Sequence, residues 1–377
     1  MSGIYIHIPF CKQACYYCNF HFSTSIKKKD EVITAITKEI EFRKSELENT
    51  IIETIYFGGG TPSLLSINEI NYIINTVYNN HSVTENPEIT LEANPDDLSN
   101  EKIIALSKSP INRLSIGIQS FFEYDLKLMN RAHNAEEAKQ CLEIAINYFN
   151  NISIDLIYGI PDCSNEQWIE NINTALFFGI PHISSYALTV EPKTALESFI
   201  KKGIIKNVDD EKAQEQFYIL KEILEKNQFI HYETSNFGKE GLFSKNNTAY
   251  WLGKPYLGIG PSAHSFFGNQ RSWNVKNNAK YIKAIQQSTL PFESETLTKT
   301  DQYNEIIMTG LRTIWGVSIE KIRNNFGEKY VEYLAQQSKK YTDDGLLIFE
   351  NGILKTTKKG LFLSDGIASD LFMLNLL

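Results

Sequence analysis

The sequence predicts an α/β protein, an open partial (β/α)6 barrel followed by a smaller, mainly α C-terminal domain with a winged-helix-like end. Three observations predict it. Through the first 235 residues, short β-branched runs alternate with longer stretches of helical periodicity, the pattern of a parallel sheet with right-handed crossovers. Six such units are too few to close an eight-stranded barrel. After about Ser235 the alternation stops, and the chain reads as aromatic and Gly-rich loops up to Trp273, then mainly as helices. The expected division is residues 1–235 for the barrel, 236–299 for a connecting segment and 300–377 for the C-terminal domain.

Each unit has its own signal. Ile4–Ile8 is β-branched and reads as the first strand. Val32–Arg43 places Ile33, Ile36 and Ile40 on one helical face. Thr54–Phe57 reads as a second strand, ended by Gly58, Gly59 and Gly60. Ser66 with Glu69 forms a capping box that opens the next helix, and Ser164 with Gln167 forms another. Glu88–Ala93, Arg113–Ile118, Ile152–Tyr158 and His182–Leu188 read as strands three to six. Asp209–Asn227 carries Ala213, Phe217, Leu220 and Leu224 on one face of a helix. Asp344–Lys359 reads as a hairpin turning at Asn351-Gly352, with a helix on each side.

Bulk properties narrow the class. The chain has 377 residues, 42% hydrophobic and 22% charged, as expected of a soluble globular protein. A net charge of −8 supplies no general attraction to nucleic acid. No apolar run is long enough to span a membrane, and the N-terminus lacks the basic and apolar regions of a secretory signal. Five cysteines, three of them within one short loop, do not form a disulfide framework. Reduced thiols point to a cytoplasmic setting. Cys141 and Cys163 stand alone and read as buried thiols.

The chemistry is concentrated in the loop after the first strand. Cys11, Cys15 and Cys18 have C-x3-C-x2-C spacing. An iron–sulfur cubane normally takes four cysteine thiolates. Three from one loop leave one iron open to a small molecule. Two other readings use the same residues: zinc held by the three cysteines with His7 or His21, and a redox pair made of Cys15 and Cys18. The position of the loop, at the mouth of a barrel, favours the cluster.

Several runs in order carry a resemblance: Tyr5–Cys11 (YIHIPFC), Phe57–Pro62 (FGGGTP), Glu92–Pro95 (EANP), Gly117–Phe121 (GIQSF), Asn130–His133 (NRAH), Asp155–Gly159 (DLIYG) and Tyr256–Gly260 (YLGIG). Together they resemble the radical S-adenosylmethionine (radical SAM) superfamily and, within it, the coproporphyrinogen III dehydrogenase-like branch, over nearly the whole chain. The resemblance implies a 4Fe–4S cluster on the three cysteines, with S-adenosylmethionine (SAM) on the fourth iron. It implies SAM contacts from Gly59 and Gly60 through backbone carbonyls, from Glu92 through hydrogen bonds, and from Arg131, Gln119 and Asp155. Tyr5 would pack on the cluster or its SAM, and Tyr17, Thr61, Ala187 and His264 would lie near the SAM site.

Two departures move the resemblance toward the heme chaperone HemW subgroup of that branch. The dehydrogenases carry a further cysteine two residues after the third cluster cysteine, where this chain has Phe20, and they have a long extension before the motif, where this chain has four residues before Tyr5. Tyr232–Phe237 and Asn246–Trp251 also match the subgroup. Its heme-associated H-N-x-x-Y-W motif is met at Asn247, Tyr250 and Trp251, with Asn246 in place of the histidine. An amide is a poor axial ligand for heme iron, which leaves Tyr250, His231 or His264 as ligands, or none of them. The implied function is binding of heme and its delivery to heme-accepting proteins. The alternative is oxygen-independent oxidative decarboxylation of coproporphyrinogen III propionates to vinyl groups. Peripheral membrane association suits a carrier serving membrane hemoproteins, although no basic amphipathic helix supports it.

Overall fold

The computed structural model describes residues 2–47 and 50–374. Strands β1 (Ser2–Ile8), β2 (Ile52–Gly59), β3 (Val83–Ala93), β4 (Arg113–Gln119), β5 (Ile152–Tyr158) and β6 (His182–Ala187) pair side by side in chain order, all parallel. Period-2 alternation explains their two faces. Ile4, Ile6 and Ile8, Ile55 and Phe57, Leu114 and Ile116, and Ile154 and Leu156 are buried in one core. Val32, Ile36 and Ile40 of the helix Lys29–Phe42 and Ile70, Ile73 and Ile74 of the helix Ile67–Asn80 belong to the same core. The opposite face is polar. Tyr5 pairs with Tyr56, Glu92 with Ser115, Ser115 with Ser153, and Asp155 with Ser184. This barrel has a polar interior face in place of stacked aliphatic layers. Both expected capping boxes are present, with reciprocal bonds between Ser66 and Glu69 and between Ser164 and Gln167.

The aromatic and Gly-rich stretch expected as loops instead contributes strands to the sheet, while the chain after Trp273 is mainly helical as expected. β7 (Ile230–Glu233) and β8 (Asn236–Gly238) add antiparallel strands beside β6. β9 (Tyr256–Ile259) pairs parallel to β1, and β10 (His264–Phe267), β11 (Gln270–Asn274) and β12 (Phe292–Thr296) continue outward, antiparallel. Among the described residues the result is one sheet of twelve strands. Glycine misled the reading. A Cβ on Gly258 would fall 1.9 Å from the His264 carbonyl oxygen, and one on Gly260, at φ +101°, would fall 2.6 Å from that of His7. These glycines permit close strand packing, whereas a Gly-rich run ordinarily signals a loop. The second strand likewise runs through Gly59 and does not stop at Phe57.

A buried ion pair fastens the added strands to the first helix. Glu39 and Arg43 meet at 3.1 Å with side chains 0% and 2% exposed. Glu39 also accepts hydrogen bonds from the Gly260 N–H (2.8 Å), Asn274 Nδ2 (2.7 Å) and the Tyr281 hydroxyl (2.6 Å). Arg43 donates to the Gly258 carbonyl at 2.9 Å. The carboxylate thus has the several donors that a buried charge requires.

At the C-terminal end lie the helix Lys299–Leu311, β13 (Val317–Ser318), the helices Ile319–Phe326 and Glu328–Asp343, the hairpin β14 (Leu347–Glu350) and β15 (Ile353–Thr356), and the helix Ser364–Asp370. Asn351 and Gly352 both have positive φ (52° and 76°), the backbone of a type I′ turn. Tyr303, Ile307, Leu311, Ile322, Leu334, Leu354 and Ile367 form a core separate from that of the barrel. Among the described residues no helix is long and apolar enough to cross a membrane.

Candidate functional site

The cysteine loop leaves β1 at its C-terminal end. The Cys11 N–H donates to the Ser23 carbonyl (3.1 Å), the Ser23 N–H to that of Pro9 (2.9 Å), and the Thr61 N–H to that of Phe10 (2.7 Å). A Cβ on Gly60 would stand 2.6 Å from the Phe10 carbonyl oxygen, and one on Gly59, at φ +107°, 2.5 Å from the His7 ring. The room left by these two glycines is therefore taken by the chain's own first strand and loop. Gly59 also lines the central cavity.

The three loop thiols are half-buried and free. Burial pushes Cys11 up to about 11, against a hydrogen bond from Thr61 that pulls it down, and burial raises Cys18 as well. Such thiols become ligands only when cations hold them as thiolates. One cation is in place: Arg131 Nη1 donates to Cys15 Sγ at 3.3 Å and to the Tyr17 hydroxyl at 3.4 Å. Its Nη2 donates to Asn94 Oδ1 (2.7 Å) and the Gly117 carbonyl (2.9 Å). The nearby histidines are otherwise engaged. His7 bonds the His21 carbonyl (3.0 Å) and the Tyr5 hydroxyl (3.3 Å), and His21 Nε2 bonds Asn278 Oδ1 (2.7 Å). Among the described residues no three His, Cys, Asp or Glu side chains are gathered tightly enough for a single metal ion. With both ring nitrogens of His7 engaged and His21 Nε2 bonded to Asn278, neither histidine is poised as the fourth ligand of a Cys3His zinc site.

Inward from the loop lies a cavity of about 1170 Å³. Tyr5, Tyr56 and Glu92 line its wall. Glu92 accepts from the Tyr56 hydroxyl (2.8 Å) and the Gly59 N–H (3.1 Å). Asp155, across from Ser184 on β6, and Ala187, the last residue of β6, are half-buried. Gln119 ends β4 at φ +66°, an uncommon backbone for a non-glycine residue and a mark of local strain beside Arg131. His264 is exposed on β10 and lines the cavity with Trp273. Tyr5, Gly59, Glu92 and His264 thus share one cavity, whereas the three cysteines, Tyr17, Gly60, Thr61, Gln119, Arg131, Asp155 and Ala187 are not among the residues that line it.

Burial lifts the Glu92 carboxyl from 4.5 to about 7, against the Tyr56 hydrogen bond, and lifts that of Asp155 to about 6. A carboxyl that is easier to protonate when folded supports stability fully below about 4.5 and loses that support as the pH climbs through about 7. Glu92→Gln should therefore gain melting temperature over the parent as the pH rises from about 4.5 to about 7. Thermal scans of both proteins across this range check the prediction, and parallel curves would refute it.

The heme-associated motif forms the helix Lys245–Trp251, at the other end of the strands. Glu88 of β3 accepts from the N–H groups of Lys245 (3.1 Å) and Asn246 (3.2 Å), and the Ser244 hydroxyl caps Asn247. Asn246 Oδ1 accepts from the Thr54 hydroxyl of β2 at 3.1 Å. Asn246, Asn247, Tyr250 and Trp251 all line the same cavity as Tyr5 and Glu92. His231 does not join them. It is buried, stacked on Phe237 at 4.0 Å and bonded to the Thr234 carbonyl, which removes it as a candidate heme ligand. Sequence reasoning missed Tyr56, Thr54, Glu88 and Asn94, which hold these elements. Asn94 lies inside a quoted motif, but only β3–β4 packing brings it to Arg131.

The Radical SAM superfamily profile matches residues 5–187, from β1 to the end of β6, and the HemN C-terminal domain profile matches residues 297–363. The chain is 33% identical to the heme chaperone HemW of Bacillus subtilis (strain 168) over 97% of this chain and 98% of the relative. It is 32% identical to the heme chaperone HemW of Lactococcus lactis subsp. lactis (strain IL1403), over 97% and 96%. The chain belongs to the HemW family. The family's place among radical SAM proteins agrees with the fold. The structure of the coproporphyrinogen III oxidase HemN of Escherichia coli, described as a radical SAM enzyme, superposes with a TM-score of 0.86 at 22% identity, over 99% of this chain and 90% of that one. At that identity the likeness concerns the fold. It extends through β9–β12 and the C-terminal helices, so both belong to the shared architecture.

Proposed function

We propose that the chain is a heme chaperone that binds heme and hands it to heme-accepting proteins. The observation that carries this reading is the full-length relation to proteins named heme chaperone HemW. Phe20, at the position where the dehydrogenase pattern has a fourth cysteine, is 69% exposed at the cavity mouth and supplies no thiol there. Cys11, Cys15 and Cys18 would hold a 4Fe–4S cluster, and Tyr5, Tyr17, Gly59, Gly60, Thr61, Glu92, Gln119, Arg131, Asp155, Ala187 and His264 would surround its SAM. Bound there, the pair supplies reductive cleavage of a sulfonium.

The chain's own residues prepare that site. Arg131 donates to the Cys15 sulfur and fixes Tyr17 and Asn94. Glu92, turned into the cavity, ionises when a ligand amine approaches and repays its burial. A cavity of about 1170 Å³ exceeds the roughly 300–1,000 Å³ of most small-molecule sites, which leaves room for a planar macrocycle beside a cofactor. Asn246 is held by Thr54 and Glu88, so the axial ligand, if the protein supplies one, falls to Tyr250 or His264.

Anaerobic reconstitution followed by parallel assays on one sample tests the proposal. The expected result is heme uptake near one per chain without conversion of coproporphyrinogen III. Conversion without heme uptake would replace the chaperone reading with the dehydrogenase.

A further inference from the structure

We infer that Arg312 is a positioning residue that holds Trp251 at the cavity wall and so lets the C-terminal helices set the shape of the heme-associated end. Arg312 directly follows the helix Lys299–Leu311. Its carbonyl accepts from the Thr234 N–H at 2.9 Å, and the Ile314 N–H donates to the Tyr232 carbonyl at 3.1 Å, so the backbone around it is stitched to β7. The side chain then reaches away from its own core. Its guanidinium lies 4.9 Å from the centre of the Trp251 ring.

The guanidinium is aimed from both sides. Nε and Nη2 donate to Glu233 Oε1 at 3.2 and 2.9 Å, and Nη1 donates to both oxygens of Asp365 at 2.6 and 2.7 Å. Glu233 is 1% exposed, and its other oxygen is held by the Ser235 N–H (3.0 Å) and Asn236 Nδ2 (2.6 Å). Glu233 is therefore buried and hydrogen-bonded on both oxygens, a fixed anchor for the arginine. Asp365, on the helix Ser364–Asp370, is 56% exposed and contributes a weaker, solvated tether. Arg312, Glu233 and Trp251 all line the cavity. A planar cation stacked on an indole restrains the ring. Lysine keeps the charge but lacks the flat fork that both stacks and takes a carboxylate.

The test compares R312K, R312Q and D365N. The chain has four tryptophans, so the indole N–H resonance of Trp251 is identified by its loss in W251F. We expect that resonance to shift or broaden in R312K, with the fold kept, and to stay in place in D365N. An unchanged signal in R312K, or an equal change in D365N, overturns the positioning role. R312Q should act like R312K, and if it fails to fold, R312K alone decides. The second readout rests on the heme-chaperone reading: heme dissociation constants by absorbance titration should rise roughly tenfold in R312K. A displaced Trp251 with unchanged heme affinity would overturn the link to the ligand. A parent protein that takes up no heme would overturn the chaperone reading, with the indole signal still deciding the role of Arg312.

Discussion

Replacing Cys11, Cys15 and Cys18 together with alanine is expected to abolish iron and sulfide uptake on anaerobic reconstitution and, with it, any SAM cleavage that the parent shows. The loss is complete because alanine offers no thiolate at any of the three positions that would hold the cluster. The fold survives, since the half-buried thiols add little to the core. Heme uptake survives too, because Asn247, Tyr250 and Trp251 ride on a helix capped by Glu88 and Ser244, at the opposite ends of the strands. Iron and sulfide analysis, the cluster's visible absorbance and a heme titration on the same variant check all three statements. Heme binding that disappears with the cluster would mean that one site serves both ligands.

Glu39→Ala lowers stability by about 3–5 kcal/mol, the cost of leaving one partner of a buried ion pair alone. Arg43 would keep Glu46 on the outer side at 2.7 Å, but its inward Nη1 would retain only the Gly258 carbonyl. The Gly260 N–H and the Tyr281 hydroxyl would lose this acceptor at the same time, and Asn274 Nδ2 would keep only the Gly260 carbonyl. Urea and thermal midpoints should fall together. Because the network pins β9 to the first helix, proteolysis between β9 and β12 should accelerate before cutting elsewhere. A variant within about 1 kcal/mol of the parent would show that water or repacking satisfies these groups.

Much of the barrel was legible because its signals are local. Ile4, Ile6 and Ile8 alternate with Tyr5 and His7, and the capping boxes at Ser66 and Ser164 announce helices by residue type and spacing alone. The cysteine spacing carries its chemistry in eight residues. The strands β9–β12 were not legible. Gly258 and Gly260 look like loop residues until β10 and β1 are seen lying where their side chains would have been. The standing of His231 could not be read either, because its stacking partner Phe237 lies on the adjacent strand β8.

By itself the sequence determined the six-strand alternation, the three-thiol loop and the hairpin turning at Asn351-Gly352, since each depends on residues close together in the chain. Only the tertiary structure decided that Glu92 and Trp251 share one cavity, that Arg131 faces Cys15, and that Arg312 leaves its own helical core to lie over Trp251. Those relations join residues more than 60 positions apart across strand register and helix packing. Local periodicity says which face a residue takes, and packing alone says what it meets there.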